Sequence, residues 1–525
     1  MRNMTHRMAL TLLSFTAAGC FSAEPVTVEP AKMKSVGTVD ERFQSFNVEM
    51  VEVTGGRFWA PYKAADKTAA EAAPAAAKLS VPGIDPAAFR QRKPIDLSNP
   101  RLRKLAAALG PSYMRVSGTW ANSTYFHDSD SPAPASPPDG FGGVLTREQW
   151  RGVIDFSRAA DAKIVTSFAI SPGARDTNGV WIPNEAQKLL AFTKTNGGSI
   201  AAAEFFNEPT MAIMGGAPKG YQAESYGRDF RVFRAFAKEA APGMLILGPG
   251  SVGEAGGLGD GLSVIKTEDM LKAEGPGVDA FSYHFYGAVS KRCAFMGPRL
   301  QTNTDEALSE EWLARTSRDA AYYANLRDRF EPGKPIWLTE TGEAACGGNP
   351  WAASFADSFR YLDQLGRLAK QGVQVVAHNT LAASDYALID EATLTPRPNY
   401  WSALLWHKLM GKTVLDAGSS PAPAVHLYAH CLREHPGGVA LLAINTDNGS
   451  SHELAFPRRA ESYTLTAANG LLENGIALNG KTLELDAHDK LPEIKSKRVH
   501  EGAAKLAPTS ITFLAFPNAG NAACQ

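Results

Sequence analysis

From about residue 42 to residue 410 the sequence alternates short, nearly all-apolar runs with amphipathic stretches, and this alternation constrains the architecture more than anything else in the chain. The apolar runs are Phe43–Met50, Tyr113–Ser117, Ile164–Phe168, Ala201–Phe206, Met244–Leu247, Ala280–Phe285, Ile336–Thr339 and Val373–Ala377. A strand with one wet face alternates polar and apolar residues. A strand covered on both faces does not, and parallel strands wrapped by helices are of this second kind. Between the runs lie segments of helical periodicity, among them Leu102–Leu109, Arg147–Ala160, Glu185–Thr195, Tyr226–Ala241, Leu313–Arg329 and Phe355–Gln371. Eight such units predict an α/β fold, a (β/α)8 TIM barrel over residues 41–410.

After Gly411 the pattern turns all-β. Val425–Ala429, Gly438–Ile444, Ser462–Thr466, Thr482–Leu485 and Ser510–Phe516 are short runs divided by turn signals such as Asp447-Asn448-Gly449. A β-sandwich domain over 411–525 follows, with Pro25–Val28, inside the segment 24–40, joining it from the N-terminus. Two insertions, the Ala-rich Ala64–Lys78 and the Pro-, Ser- and Gly-rich Asp128–Gly143, follow the first two strands. They are either plain surface loops or walls of a cleft at the strand C-termini.

Residues 1–23 read as an export signal: Arg2, His6 and Arg7 precede the apolar run Met8–Gly19, too short to span a bilayer. Ala17-Ala18-Gly19-Cys20 resembles a lipoprotein processing site, with Ala17 where Leu is usual, so lipidation at Cys20 and plain release both stay open. The expected location is periplasmic, on the outer membrane as a lipoprotein, or extracellular. Any membrane contact would run through a lipid on Cys20. Four cysteines remain, Cys293, Cys346, Cys431 and Cys524, and an oxidising compartment suggests two disulfides with three possible pairings. No CxxC or HxxxH spacing supports a metal, and nothing calls for an organic cofactor. The net charge of -1 lacks the basic excess of a nucleic-acid binder. A monomer is expected.

Two predicted strands finish on glutamate: Ala203-Glu204-Phe205-Phe206-Asn207-Glu208-Pro209 on the fourth and Pro335-Ile336-Trp337-Leu338-Thr339-Glu340-Thr341 on the seventh. Placing a charge directly after a buried run costs several kcal/mol unless something offsets it. Glycoside cleavage needs two such groups, one protonated to help the leaving oxygen depart, the other ionised to attack the anomeric carbon. Glu208 is therefore the candidate acid/base and Glu340 the candidate nucleophile, with Asn207 placed to hold a sugar hydroxyl. Glu204 reads as part of a barrel-wall ion pair and Glu343 as loop structure. His284 and Tyr286, ending the sixth strand, are candidates for lining the cleft.

These motifs resemble glycoside hydrolase family 79, the heparanase-like β-glucuronidases. Leu105–Thr119, Phe205–Pro209, Trp337–Thr341, Ser354–Leu365, Tyr400–Leu415, Leu427–Cys431 and Gly470–Leu485 carry the likeness in order along the chain. The resemblance implies that Glu49, Thr119 and Asn379 contact the sugar. It also implies that amides of Gly347 and Gly348, with Tyr386, hold a uronate carboxylate. The closing Ala522-Ala523-Cys524 implies a Cys431–Cys524 bond. Cys346 stands where the family has a longer glycine run; it would face Cys293 across neighbouring loops and could pair with it. Animal members carry a long excised linker after the second strand, where this chain has only Asp128–Gly143, so a single active chain is expected.

The resemblance points to a retaining β-glucuronidase, endo-acting on an acidic polysaccharide of the heparan sulfate type. An exo-β-glucuronidase, another barrel glycosidase and an inactive carbohydrate-binding lipoprotein are the alternatives. Arg228, Arg231, Arg234 and Lys238, spaced by three and four, are either a solvated helix face or a remnant patch for an anionic polymer.

Overall fold

The computed structural model describes residues 26–62, 86–212, 214–255, 265–500 and 502–525. The export signal with Cys20 and the insertion Ala64–Lys78 lie outside the described residues. Eight parallel strands close into a barrel: β1 (Gln44–Glu49), β2 (Ser112–Ser117), β3 (Ala162–Thr166), β4 (Ile200–Glu204), β5 (Leu245–Val252), β6 (Ala280–Tyr286), β7 (Ile336–Gly342) and β8 (Val373–His378). All eight coincide with apolar runs read from the sequence, displaced by a few residues at their ends.

Side-chain parity explains how the barrel can be both packed and charged. At its lower end Tyr113, Val165, Ala202, Leu247, Ala280, Trp337 and Val375 form one apolar layer, with Tyr113 and Trp337 ring centroids 4.9 Å apart. Further along at the same parity, Arg115 and Glu204 two residues on and His284 four residues on face the interior, and these contact one another. The intervening residues, such as Met114, Val116, Ala203 and Leu338, pack outward into the main core beneath the helices. Continuous apolar character in sequence thus conceals two different faces.

The C-terminal region forms two sheets. The larger includes Met410–Leu415, Val425–Leu432, Val439–Asn445, Ser510–Phe516 and Ala460–Thr466, and the N-terminal strand Ser35–Thr38 lies at its edge against Met410–Leu415. The smaller contains Val26–Thr27, His452–Phe456 and Gly502–Leu506, so the N-terminal segment contributes to both sheets. An apolar cluster including Leu441, Leu454, Leu506 and Leu514 fills the space between them. The expected strand Thr482–Leu485 shrinks to Lys481–Thr482.

The sandwich docks on the barrel helix Phe355–Lys370. A Cβ on Gly366 would lie 2.2 Å from the Tyr428 ring, so only glycine permits this approach. Asp363 on the same helix accepts hydrogen bonds from Tyr428 and Arg367 and contacts His426. Two disulfides form, Cys293–Cys346 and Cys431–Cys524, with Cα–Cα distances of 6.5 and 5.3 Å, both within the ordinary range. No helix among the described residues is long and apolar enough to cross a membrane.

Candidate active site

Glu208 and Glu340 reach the C-terminal mouth of the barrel by different local devices. Glu208 sits in the left-handed region, φ 51°, immediately before the turn Pro209–Met211. A non-glycine residue there costs about 1–3 kcal/mol, which the surroundings must offset. Asn122 contributes by gripping the preceding residue twice, donating to Asn207 O at 2.9 Å and accepting from Asn207 N–H at 2.8 Å. Glu340 is turned inward by an irregularity in pairing: Tyr283 faces Leu338, but the next residue, His284, faces Glu340. A one-residue slip re-aims the side chain. The result brings carboxylate oxygens of Glu208 and Glu340 and a ring nitrogen of His284 within 4.8 Å of one another. Two carboxyl groups this close match the separation of about 5–5.5 Å used for double displacement, not the ~6.5–9.5 Å that leaves room for an attacking water.

Arg115 organises the charges below. Its guanidinium donates to Glu340 Oε2 at 2.8 Å, to Glu204 Oε2 at 2.7 Å and to Asn207 Oδ1 at 2.8 Å. Burial opposes ionisation of Glu204, but Arg115, with His284 and Thr339, overrides it and holds the carboxyl far below its usual range. Glu204 is thus the barrel-wall ion-pair partner, 2.7 Å from Arg115. At Glu208 burial dominates; the His284 hydrogen bond opposes it and the Glu340 charge adds to it, leaving the pKa raised. Burial likewise opposes a charged His284, yet Glu340 together with Glu204 and Glu208 outweighs that cost despite Arg115, and the ring titrates at about 9. Glu208, His284 and Glu340 could in principle converge on a metal. The Arg115 guanidinium against Glu340 and a charged imidazole already supply that positive charge, and a second cation would be repelled.

Beside Glu340 lies a polar cluster. Tyr286 Oη donates to Glu340 Oε1 at 2.7 Å, and Asn379 Nδ2 lies 3.1 Å from Glu49 Oε1, 3.0 Å from Tyr286 Oη and 3.1 Å from Tyr386 Oη. Glu49 Oε2 has no partner among the described residues. Its room depends on Gly118, where a Cβ would fall 1.6 Å from that oxygen and where φ is 91°. Burial, reinforced by Glu340, pushes the Glu49 pKa well above the usual carboxylate range.

Of the anticipated residues, Glu49, Thr119, Asn207, Glu208, Tyr286, Glu340, Asn379 and Tyr386 line one cavity. His284 does not; it is fully buried beneath Glu208 and acts through it. Gly347 and Gly348 also fall behind the wall, whose face is made by Ala345 and Cys346. The Gly348 N–H is spent on Ala344 O at 3.1 Å. The amides without a protein acceptor among the described residues are those of Cys346 and Gly347, one position earlier than the resemblance suggested. This follows from three successive positive φ angles, 62° at Cys346, 84° at Gly347 and 81° at Gly348, which coil the turn so that the third amide closes it. Arg292 braces the turn from behind, donating to Cys346 O at 3.0 Å and to Asp385 Oδ2 at 2.8 Å. Glu343 also holds this loop, accepting from Asn349 N–H at 2.8 Å.

Sequence reasoning passed over Arg115, Asn122 and Arg292. Arg115 carried a signal, a lone arginine within the apolar run Tyr113–Ser117; the other two act across loops and carried none.

A barrel whose fourth and seventh strands deliver a close pair of glutamates defines a glycoside hydrolase. The family model for the glycosyl hydrolase family 79 N-terminal domain matches residues 93–366, and the chain belongs to that family. Among curated relatives it is 28% identical to heparanase of Bos taurus over 488 residues, covering 82% of this chain and 86% of that one. It is 25% identical to hyaluronoglucuronidase of Hirudo nipponia over 486 residues, covering 82% and 92%. Among solved structures, the GH51 arabinofuranosidase from Xanthomonas axonopodis pv. citri superposes with a TM-score of 0.60 at 17% identity, covering 92% of this chain and 98% of that one. That last likeness concerns the fold.

Proposed function

We propose that the protein is a retaining β-D-glucuronidase. The observation that carries this reading is the close pair Glu208 and Glu340 set beside Tyr386 and the free amide of Cys346 in the cavity wall. A uronate carboxylate is an acceptor for an N–H group and a tyrosine hydroxyl; a neutral hydroxymethyl group uses such donors far less well. In the first step the Glu340 carboxylate attacks the anomeric carbon while Glu208 gives its proton to the departing oxygen, so the C–O bond breaks and an aglycone alcohol leaves. In the second, Glu208 takes a proton from water, the water oxygen attacks the same carbon, and glucuronic acid and the Glu340 carboxylate are released. Arg115 and Tyr286 hold Glu340 in its attacking orientation.

The names of the heparanase and hyaluronoglucuronidase relatives support a glucuronide substrate. Action within a heparan-sulfate-type polymer, as expected from the sequence, is supported by the heparanase likeness. Removal of a terminal glucuronic acid residue is the alternative reading. Two disulfides support a place outside the cytoplasm, in keeping with the export signal.

The test pairs an aryl β-glucuronide with the matching aryl β-glucoside and follows the first-formed sugar by proton NMR. The β anomer of glucuronic acid should appear first, and Glu340→Gln should abolish turnover. Cleavage of the glucoside alone, first release of the α anomer, or near-normal activity in Glu340→Gln would each sink the assignment.

A further inference from the structure

Resting on the β-glucuronidase reading, we propose that the leaving-group side of the cavity is a cradle for an apolar, planar aglycone. The enzyme's substrates would then be aryl or similarly apolar glucuronides, not a sulfated polymer. The cavity divides by chemistry. Around Glu340 it is polar, with Glu49, Asn379, Tyr286 and Tyr386 in mutual contact. The rest of its wall is mainly apolar: Trp120, Met211 and Met214 on the Glu208 side, the half-exposed Phe295, and Trp59 with Phe89 beside the Cys346–Gly347 turn, where a Cβ on Gly347 would meet Trp59 at 2.7 Å. Met211 and Met214 come three and six residues after Glu208, and Glu208 is the group that must reach the bridging oxygen. The apolar wall therefore begins where the aglycone leaves.

These side chains are supported, yet not used up by packing. Trp59 stacks on Phe89 with centroids 4.4 Å apart, on the hairpin formed by Gly56–Trp59 and Phe89–Arg92. Trp120 meets Phe58 edge-on at 5.0 Å. Phe295 is 49% exposed, although large apolar side chains are seldom left to solvent around a concave site without a ligand to cover them. Aromatic faces and methionine thioethers suit a flat ring.

Charge argues in the same direction. Among the described residues lining the cavity there is no Lys or Arg, and its only formal charges belong to Glu49, Glu208 and Glu340. A sulfate placed on this wall would lose its hydration and gain no counter-charge. The basic helix singled out in the sequence does not line this cavity, and three of its four cations are tied to neighbouring groups, while Lys238 is exposed. Arg234 donates to Pro276 O at 2.6 Å, Arg231 to Ala273 O, and Arg228 to Asp229 at 2.8 Å and to Gly179 O at 2.9 Å. Their guanidiniums tie neighbouring loops together.

The decisive comparison uses benzyl and methyl β-D-glucuronide with the full chain, because the two leaving alcohols are about equally acidic and differ in apolar surface. The benzyl compound should be favoured at least about tenfold in kcat/KM, since a single methylene in an apolar pocket already contributes ~10-fold or more. Phe295→Ala, at a half-exposed position, should cut the benzyl-to-methyl ratio severalfold, and Met214→Ala should do the same. Equal kcat/KM on the two glucuronides, an unchanged ratio in both variants, or depolymerisation of heparan sulfate more efficient than benzyl release would overturn the inference. Hydrolysis of benzyl β-glucoside with neither glucuronide cleaved would instead remove the β-glucuronidase reading beneath it.

Discussion

Burial and the adjoining Glu340 charge both disfavour ionisation of Glu49 and raise its pKa well above the usual carboxylate range. A neutral carboxyl can donate, and Oε2, the oxygen without a partner, adjoins the cavity. Glu49→Gln preserves a donor there, whereas Glu49→Ala does not. The alanine variant should lose about 1–3 kcal/mol of transition-state stabilisation, roughly ten- to a hundredfold in kcat/KM, and the glutamine variant much less. Steady-state kinetics of the two variants check this. His284 acts on Glu208 in a signed way. A charged ring 3.1 Å from Glu208 Oε1 favours the ionised acid. In His284→Gln the Glu208 pKa should rise, so the alkaline limb of the kcat/KM–pH profile should move to higher pH. Wild-type stability shows the same histidine from the other side. A ring held at about 9, above its unfolded value, contributes stability that is full below about pH 6.5. That contribution is lost as pH rises through 9, so denaturant titrations of wild type and His284→Gln should converge in alkali.

At the scale of elements, the loops after β6 and β7 act as one wall. Cys293 and Cys346 join them across 53 residues of chain, a constraint worth about 4 kcal/mol in the chain-entropy model. Cys293→Ala with Cys346→Ala should lower the unfolding midpoint and raise KM for a glucuronide more than it lowers kcat, because the amides of Cys346 and Gly347 lose their brace. Differential scanning calorimetry and saturation kinetics check the two parts. The loop between Thr124–His127 and Gly143–Thr146 is exposed, and those strands pair directly with each other. The intact chain should accordingly be active with no cleavage there, as electrophoresis of the working enzyme would show. The barrel strands were legible because burial on both faces leaves an unbroken apolar run. The close pair Glu208 and Glu340 was legible because a charge directly after such a run is conspicuous. Strands of the sandwich such as His452–Phe456 and Gly502–Leu506 are short and half-exposed, and their pattern does not stand out from loop. The free amides were misplaced by one residue because backbone donors leave no mark in side-chain identity; only the three positive φ angles reveal which one closes the turn.

In the whole molecule the sandwich is bound to the barrel along the helix Phe355–Lys370, nearly all of which is buried. Gly366 is the point of nearest approach, and any side chain there must displace Tyr428. Gly366→Leu should destabilise by more than the ~1–3 kcal/mol of ordinary overpacking, because two domains must separate to admit it. Thermal unfolding would show this as a large fall in midpoint, and unchanged stability would mean the interface is looser than described.

The strand Ser35–Thr38 has consequences for how the chain is made. Its partner across the sheet edge is Met410–Leu415, and β1 closes the barrel only against β8. Synthesis from the N-terminus therefore produces early both Ser35–Thr38 and the β8-facing edge of β1, and these wait while more than three hundred residues emerge. Slow, sequence-distant pairing of this kind leaves strand edges open to wrong partners. A chain arrested before β8 holds an open sheet with two unpaired edges, and no shorter N-terminal fragment can close the ring. Completion of this fold thus depends on keeping Ser35–Thr38 and the outer edge of β1 free until their distant partners exist.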